Sequence, residues 1–339
     1  MGVASHADMQ GALSNSAVPA PLIDSRDRWG NQTSITEFIL LGFGDLPELQ
    51  VLLFLLFLVI YIATVAGNIL IIVLVVTDQH LHSPMYFFLG NLACLETCYS
   101  STILPRMMAG PLTGDRTISL NGCVTQFYFV GSLIATECLL LSVMSYDRYL
   151  AICNPMRYAT RMSHRSYLKL TGGCWIGGFL GNSINMLSIS QLIFCGPNCI
   201  DHLFCDLIPL VKLSCNDPHL MEMVTFTLSL LFSLVPFLLT LISYICIIAT
   251  ILRIPSTTGR RKAFSTCSSH LIVVSIYYST LLTVYMFPTT DILSDFKKVL
   301  SVAYTVLTPL VNPLIYSLRS KEVQEALRKA CRKLMFGPC

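Results

Sequence analysis

The sequence predicts an all-α membrane protein, a seven-transmembrane helix bundle with a short amphipathic helix after the seventh span. The chain has 339 residues, of which 54% are hydrophobic and only 12% are charged. A soluble domain carries about a quarter charged residues. The mean hydropathy of +0.66 is typical of a polytopic membrane protein. The apolar residues are gathered into seven stretches, each long enough to cross a bilayer.

The first stretch, 51–77, follows a polar segment, 1–48, that lacks the basic flank and apolar core of a cleaved signal peptide. We therefore expect the first span to act as the insertion signal. The other six spans are predicted near 84–108, 121–150, 168–191, 221–252, 264–288 and 298–318. Glu96 interrupts the second span and Glu137 the third, so hydropathy alone should score both weakly. The bundle as a whole is assigned to 49–318.

Residues 319–339, after the seventh span, are basic and amphipathic. Val323, Leu327, Ala330 and Leu334 recur at helical spacing. This pattern favours a short helix lying on the membrane surface. The alternative is a solvated tail.

The distribution of Lys and Arg predicts the orientation of the chain. The segments after the third, fifth and seventh spans carry 15 of the 22 basic residues. Basic loops stay in the cytoplasm, so the C-terminus is expected inside and the N-terminus outside. The glycosylation sequon that begins at Asn31 lies in the segment assigned outside.

Cysteines are concentrated on the predicted outer side. Cys123 opens the third span, and the loop between the fourth and fifth spans contains Cys195, Cys199, Cys205 and Cys215. An oxidising exterior favours disulfides there. Their spacing does not indicate a zinc site. The net charge of +3, without a basic patch interleaved with aromatic residues, indicates that nucleic acid is not a partner.

Two carboxylates are expected near the bilayer centre. At 1.5 Å per residue, Glu96 lies roughly 18 Å and Glu137 roughly 16 Å from the inner face. Such acids usually face the bundle interior. If they meet, they either share a proton or hold a cation between them. The alternative is a protonated pair that only hydrogen-bonds.

Asp147 and Arg148 interrupt the inner end of the third span, about 37 Å along the helix from Cys123. Adjacent residues do not share a helix face. We therefore expect Arg148 to be free to find a partner across the bundle. The alternative is that the pair is an ordinary interfacial anchor.

Four longer stretches, together with Gly67-Asn68, carry a family resemblance. They are "LHSPMYFFLGNLACLE" (81–96), "MSYDRYLAICNPMRY" (144–158), "RKAFSTCSSHL" (261–271) and "TPLVNPLIYSLR" (308–319). In this order they resemble the odorant receptors, which are rhodopsin-like G-protein-coupled receptors of the plasma membrane. The resemblance extends from about residue 34 to 335. It leaves a longer N-terminal segment than usual, so the true start is expected to be internal, at Met9.

The resemblance implies roles for residues at the inner end and in the core. Activation and G-protein coupling would involve Asp147, Arg148, Tyr149, Tyr244, Asn312, Pro313 and Tyr316. The disulfides would be Cys123–Cys205 and Cys195–Cys215, which leaves Cys199 over. A sodium ion at Glu96 and Glu137 is the one bound ion expected, although the family usually has Asp at the first position.

The resemblance also implies a ligand site in the outer half of the bundle. Tyr278 and Tyr285 are seven residues apart and therefore share a helix face. The remaining wall would be formed by Val130, Gly131, Ile134, Ala135, Thr225, Leu228, Ser229, Phe232, Leu281 and Leu282. Val130 stands where receptors for amines usually carry Asp. A small, neutral, mostly apolar volatile molecule with one oxygen for Tyr285 or Ser229 suits such a wall.

The partner expected inside the cell is a stimulatory G protein that raises cyclic AMP. Two other classes were weighed. A secondary transporter should show repeats and broken helices in matching halves, and the sequence has neither. An intramembrane enzyme would need a catalytic set at one depth, for which His270 near Ser268 and Ser269 is the only hint. We therefore expect no enzymatic activity.

Overall fold

A computed structural model of the chain describes residues 35–42, 47–194, 198–216, 219–286 and 291–336. The sequon at Asn31, Met9 and Cys195 lie outside these ranges. The helices are α1 (Pro47–Thr77), α2 (Pro84–Thr113), α3 (Leu120–Cys153), α4 (Pro155–Arg161), α5 (His164–Ile189), α6 (Leu207–Lys212), α7 (His219–Ser229), α8 (Val235–Leu252), α9 (Thr257–Met286), α10 (Asp291–Arg319) and α11 (Lys321–Phe336). The strands are β1 (Glu37–Leu40), β2 (Thr117–Ser119) and β3 (Cys199–Ile200).

The predicted spans fall in order on α1, α2, α3, α5, α7 with α8, α9 and α10. A π-helical segment, Leu230–Leu234, joins α7 to α8, and Pro236 stands in the first turn of α8. Most of the helices extend beyond the predicted spans. For example, α9 begins at Thr257, two turns before the predicted start at residue 264, because apolar stretches mark the lipid crossing and not the helix ends.

By length and hydropathy alone, four helical stretches in the described ranges could cross a membrane: Gln50–Thr77, Leu120–Cys153, His219–Leu252 and Val299–Tyr316. A shorter apolar stretch in α9 covers Cys267–Thr283. The expected weakness of the second span is confirmed. The same expectation for the third span is wrong, because the apolar residues of α3 outweigh the one carboxyl of Glu137.

The bundle exposes many large apolar side chains and buries several polar ones. Leu52, Leu180 and Leu239 are each more than half exposed, as lipid-facing side chains should be. Asn68 and Thr240 are at most 2% exposed. Polar groups within a membrane protein face the bundle interior, where they find partners.

Helix α3 lies at the centre of the bundle. It packs against α2, α5, α8 and α9. Its buried residues run from Cys123 to Leu150. With 34 residues, it is about 51 Å long, so it contributes to every layer of the site described below.

Helices α1 and α10 approach each other closely at Gly67. A Cβ there would lie 3.3 Å from the Pro313 ring. Pro313 has no N–H, so the carbonyl of Pro309, four residues earlier, loses its usual helical donor. The Asn68 side-chain amide donates to that carbonyl at 3.0 Å and to the Thr64 carbonyl at 3.0 Å. Gly67 therefore allows α1 and α10 to approach closely, and Asn68 supplies the hydrogen bond that the Pro309 carbonyl lacks.

A three-stranded sheet caps one end of the bundle, in the order β2-β1-β3. Strand β1 pairs antiparallel with β2, with Phe38 opposite Ile118. It pairs parallel with β3, with Ile39 opposite Cys199. Phe38 is fully buried in a cluster with Leu40, Cys123, Ile200, Cys205 and Leu210. This sheet was not predicted from the sequence.

Helix α11 is attached to the opposite end of the bundle, and its predicted helical structure is confirmed. Ser320 accepts a hydrogen bond from the Val323 amide at 3.2 Å and lies 2.9 Å from the Tyr86 hydroxyl. Lys329 pairs with Asp78 at 3.4 Å. Asp78 also accepts from the backbone and ring nitrogens of His80. Chiefly these His80 bonds, with help from Lys329, lower the pKa of Asp78 to about 2.

Candidate functional site

The end of the bundle that the sheet caps has a roof formed by the loop between α5 and α7. The Cys123–Cys205 disulfide ties this loop to the start of α3, as the family resemblance implied. The Cys205 amide donates to Gln126 Oε1 at 3.1 Å, and the Gln126 amide nitrogen donates to the Thr102 carbonyl at 3.2 Å. The loop is therefore fixed to both α3 and α2.

The other loop cysteines are described in part. Cys215 is disulfide-bonded, but its expected partner Cys195 lies outside the described residues. Cys199 is free and exposed. It sits in β3, where its backbone pairs with Ile39.

Beneath the roof lies an apolar cluster. Leu203 and Phe204 of the loop pack in one cluster with Val130 of α3 and Tyr99 of α2. Val130 is 5% exposed. The position that the sequence analysis compared with the aspartate of amine receptors therefore faces hydrocarbon side chains.

One to two turns further in, the wall contains Ile134 of α3 and residues of α8 and α9. Ile134 packs with Phe237, Tyr278 and Leu281 in the central cluster. The ring centroids of Tyr278 and Phe237 are 5.0 Å apart. The Tyr278 hydroxyl donates to the Cys138 carbonyl at 3.5 Å. Tyr278 therefore bounds the apolar region around Val130 and Ile134 on the side away from the roof. We call Tyr278 the floor of this region.

Some predicted wall residues face α5 instead. A Cβ on Gly131 would lie 2.8 Å from the Asn182 side chain, so glycine lets α3 and α5 approach closely. The Phe232 ring lies against Gly181 of α5 in the same way. We reassign Gly131 and Phe232 to helix packing. The prediction placed them at the right depth, but depth does not fix the rotation of a helix.

Two polar positions of α7 are also reassigned. Thr225 donates to Asn185 Oδ1 of α5 at 3.4 Å. Ser229 is exposed, so its hydroxyl is a poor candidate for the ligand oxygen.

Leu228 is 9% exposed, and Ala135 and Leu282 are half-buried. The side chain of Tyr285 lies outside the described part of the chain.

Tyr277 is a residue that the sequence analysis missed. It is fully buried, its hydroxyl donates to the Ile134 carbonyl at 3.2 Å, and it lies 3.1 Å from Cys138 Sγ. A local signal was the second tyrosine beside Tyr278, since a polar hydroxyl in a membrane helix favours the bundle interior. Tyr277 therefore joins α9 to α3 beside the floor residue Tyr278.

The middle layer holds the two predicted carboxylates. Glu96 and Glu137 are 0% and 2% exposed, and their carboxyl groups lie within hydrogen-bonding reach of each other. Asn312 of α10 donates to Glu96 Oε1. Glu96 Oε2 and Glu137 Oε1 have no hydrogen-bond donor among the described residues. Two facing acceptors of this kind fit a proton or a cation between them.

A larger metal site is not evident. The described residues contain no group of three or more His, Cys, Asp or Glu side chains that could hold a metal ion. The Glu96–Glu137 pair thus lacks the donor set of a structural zinc site.

At the end of the bundle that carries α11, Arg148 pairs with its neighbour Asp147. Arg148 Nη2 lies 3.0 Å from Asp147 Oδ2, and Tyr158 donates to Asp147 Oδ1 at 2.9 Å. The expectation that Arg148 would be free to find a partner across the bundle is wrong. Asp147 is fully buried, so its charge requires a counter-ion, and the long Arg148 side chain reaches back to it.

A second polar pair faces Arg148 from α8 and α9. The Tyr244 hydroxyl and His270 Nδ1 are 2.7 Å apart and buried. Arg148 is the common electrostatic neighbour of Tyr244, His270 and Tyr316. The Tyr316 hydroxyl has no hydrogen-bond partner in the described chain. Asn154 donates to the Tyr149 hydroxyl at 3.2 Å. The predicted inner-end residues on α3, α8 and α10 therefore converge on one region.

The fold resembles that of a solved receptor. The structure of squid rhodopsin superimposes with a TM-score of 0.65 and 17% identity, covering 86% of this chain and 88% of that chain. The seven long helices, counted over the described ranges, thus form a seven-helix bundle of the same fold class.

Sequence comparison resolves the family within this class. The family profile described as olfactory receptor matches residues 57–333. Human olfactory receptor 11A1 is 49% identical over 88% of this chain and 95% of its own length. Human olfactory receptor 11H4 is 50% identical over 89% and 92%, and mouse olfactory receptor 5AP2 is 47% identical over 88% and 94%.

The chain belongs to the olfactory receptor family. It is therefore an odorant-sensing, G-protein-coupled receptor of the plasma membrane, with several membrane crossings and no enzymatic role. Odorants and a G protein are its partners.

Proposed function

We propose that the chain binds a small, neutral, mostly apolar volatile molecule in the outer half of the bundle. The observation that carries the proposal is the apolar region between the roof and the floor. Its roof is Leu203 and Phe204, which pack with Val130, and its floor is Tyr278. A hydrocarbon lining with a few hydroxyls favours neutral ligands, since a buried charge without a partner is costly.

The proposed contacts are the predicted ligand-site residues that were not reassigned to helix packing or to the surface. They are Val130, Ile134, Ala135, Leu228, Tyr278, Leu281 and Leu282, with Tyr285 as the expected hydroxyl donor. Because Ser229 is exposed, the ligand oxygen is assigned to Tyr285 alone.

The proposed signal is a shift between two states of the bundle. A ligand changes that equilibrium only by its differential affinity for the two states. The active state has the inner end of α9 swung outward, at the exposed basic residues Arg260, Arg261 and Lys262. Arg148 then leaves Asp147, and the opened cleft takes the C-terminal helix of a stimulatory G-protein α subunit. Cyclic AMP rises as a result.

The proposed orientation has the sheet and the disulfide outside the cell and α11 inside. It is supported by the charges, since Arg157, Arg161, Arg253 and Arg260 all lie at the end opposite the sheet. Glycosylation at Asn31 and the Cys195–Cys215 disulfide are proposed for the outer side.

The test is a screen of volatile compounds against cells that express the receptor, read as cyclic AMP. Val130→Phe should lower the potency of any agonist because it fills the region under the roof. Phe129→Leu is the matched control, since Phe129 is 43% exposed on the same helix. Unchanged potency for Val130→Phe at equal surface expression would reject the proposed ligand site.

A second proposal concerns the middle layer, where a sodium ion binds between Glu96 and Glu137. The unpaired oxygens Glu96 Oε2 and Glu137 Oε1 support it, and a shared proton is the competing occupant. Sodium-dependent thermal stability of the purified receptor tests it. Stability that rises with sodium but not with N-methylglucamine, and no longer does so in Glu137→Gln, supports the ion. Stability that depends only on pH supports the proton.

A further inference from the structure

Gln126 lies on the side of α3 that meets the roof. It follows Cys123 by three residues, so the two side chains share a helix face, and it is only 7% exposed. Cys123 holds Cys205 through the disulfide, and Gln126 Oε1 accepts a hydrogen bond from the Cys205 amide at 3.1 Å. Cys205 is therefore held twice, once by its side chain and once by its backbone.

The backbone bond fixes the direction of Phe204. The amide that Gln126 binds belongs to the planar peptide between Phe204 and Cys205, and a disulfide alone leaves that peptide free to turn about the single bonds of the Cys205 side chain. The Phe204 amide donates to His202 Nδ1 at 3.4 Å, and the two ring centroids are 4.5 Å apart. Phe204, 4% exposed, is thus kept in the cluster that contains Val130.

The other end of the Gln126 amide is bound to a different helix. Its nitrogen donates to the Thr102 carbonyl of α2 at 3.2 Å. A side-chain amide has its acceptor and its donor on one rigid group, so the bond to α2 directs the oxygen toward the roof. Removal of Gln126 would leave the buried Cys205 amide without this partner.

We propose that Gln126 is a positioning residue that keeps the roof closed over the proposed ligand site and so sets how fast small molecules enter and leave it. Gln126 acts through Phe204 and does not contact the ligand. The proposal rests on the ligand site proposed above, beneath the roof.

The test measures access to the region under the roof with a small neutral reagent, methyl methanethiosulfonate. Val130→Cys places a thiol there in the purified full-length receptor, and peptide mass spectrometry follows its reaction separately from the native thiols. Gln126→Met, added to this background, removes both hydrogen bonds at nearly the same side-chain size. It should speed the reaction by about three- to tenfold, the effect of one lost hydrogen bond on an opening equilibrium. Gln126→Glu keeps the acceptor oxygen and loses the bond to Thr102, so its rate should lie between the two.

Two controls separate positioning from general loosening. Tyr128→Phe, on the same helix, removes a 3.3 Å hydroxyl contact with Ser183 of α5 and should leave the rate unchanged. Native Cys267, 3% exposed in α9, should react at one rate in every variant. An unchanged rate in Gln126→Met, an equal rise in Tyr128→Phe, an equal rise at Cys267, or a Gln126→Glu rate as fast as that of Gln126→Met would each overturn the proposal.

This experiment contains no odorant, so its failure is distinguishable from failure of the ligand site. If Val130→Phe leaves odorant potency unchanged while Gln126→Met still admits the reagent faster, the ligand site is wrong and the role of Gln126 stands. If Val130→Phe lowers potency while the reagent rate does not respond to Gln126→Met, only the role of Gln126 is wrong.

Discussion

The Asn68 side chain donates a hydrogen bond to the Pro309 carbonyl across the α1–α10 contact. Pro313 is the cause, because it cannot donate to that carbonyl from within α10. The Gly67-Asn68 pair of α1 and the two prolines of α10 therefore act together at one contact. The carbonyl that Pro313 leaves without a helical donor is hydrogen-bonded by a side chain from another helix.

Replacing Asn68 by Ala should destabilise the receptor by about 1–3 kcal/mol, because two buried carbonyls lose a donor. The measurement is the thermal unfolding temperature of the purified receptor. Thr77→Val is the control, since exposed Thr77 donates only to Val73 within its own helix. If both variants melt like the wild type, the Asn68 hydrogen bond does not stabilise the α1–α10 contact.

Replacing Gly67 by Val should lower stability and surface expression, because a Cβ at this position is already 3.3 Å from the Pro313 ring. The added methyl groups would push α1 away from α10. Gly172→Val is the matched control, since nothing lies within 4 Å of its Cβ position. Surface labelling of whole cells measures the difference, and similar expression of the two variants would argue against the close approach.

Phe38→Ala should destabilise the outer cap by about 3–5 kcal/mol, the usual cost of removing a buried phenyl ring. The expected result is a receptor retained inside the cell and less stable after purification. Phe129→Ala, at a lipid-exposed ring, is the control. Normal trafficking of Phe38→Ala would show that the sheet is dispensable.

Tyr158→Phe should raise basal signalling, because it removes the 2.9 Å hydrogen bond that helps to hold Asp147 beside Arg148. Basal cyclic AMP at matched surface expression is the readout. Tyr61→Phe, which removes an exposed hydroxyl contact with Ser101, should leave the basal signal unchanged. A basal signal for Tyr158→Phe at or below the wild-type level contradicts the prediction.

Asp78→Asn should loosen α11, because Asp78 loses the charge that pairs with Lys329. Amide hydrogen exchange over 321–336 should become faster. The pKa of Asp78 is lowered to about 2, so its contribution is present above pH 3.8 and is lost as pH falls through 2. Exchange in the wild type should therefore show no transition due to Asp78 between pH 5 and 8. A transition there that Asp78→Asn abolishes would contradict the low pKa.

The sequence predicted features that repeat along one helix. Apolar runs located the spans, and the spacing of Val323, Leu327 and Ala330 located α11. Depth along a helix placed Glu96 and Glu137 at one level, where their carboxyls meet.

The sequence did not predict features that depend on rotation or on distant pairing. Gly131 lies at the expected depth but faces Asn182, and nothing local indicates which way α3 is turned. Strand β1 has four residues, too few for a periodic signal, and its partners are far along the chain. Arg148 pairs with Asp147 although neighbouring side chains on a helix point apart, because the buried carboxylate needs a counter-ion.

The β2-β1-β3 sheet has a consequence for the synthesis of the receptor. Strand β1 leaves the ribosome first, yet its neighbours β2 and β3 begin at Thr117 and Cys199, about 80 and 160 positions later. Contacts between such distant segments form slowly. The nascent receptor must therefore cross the membrane four times before Phe38 can be covered, and until then this end of the bundle stays unfinished.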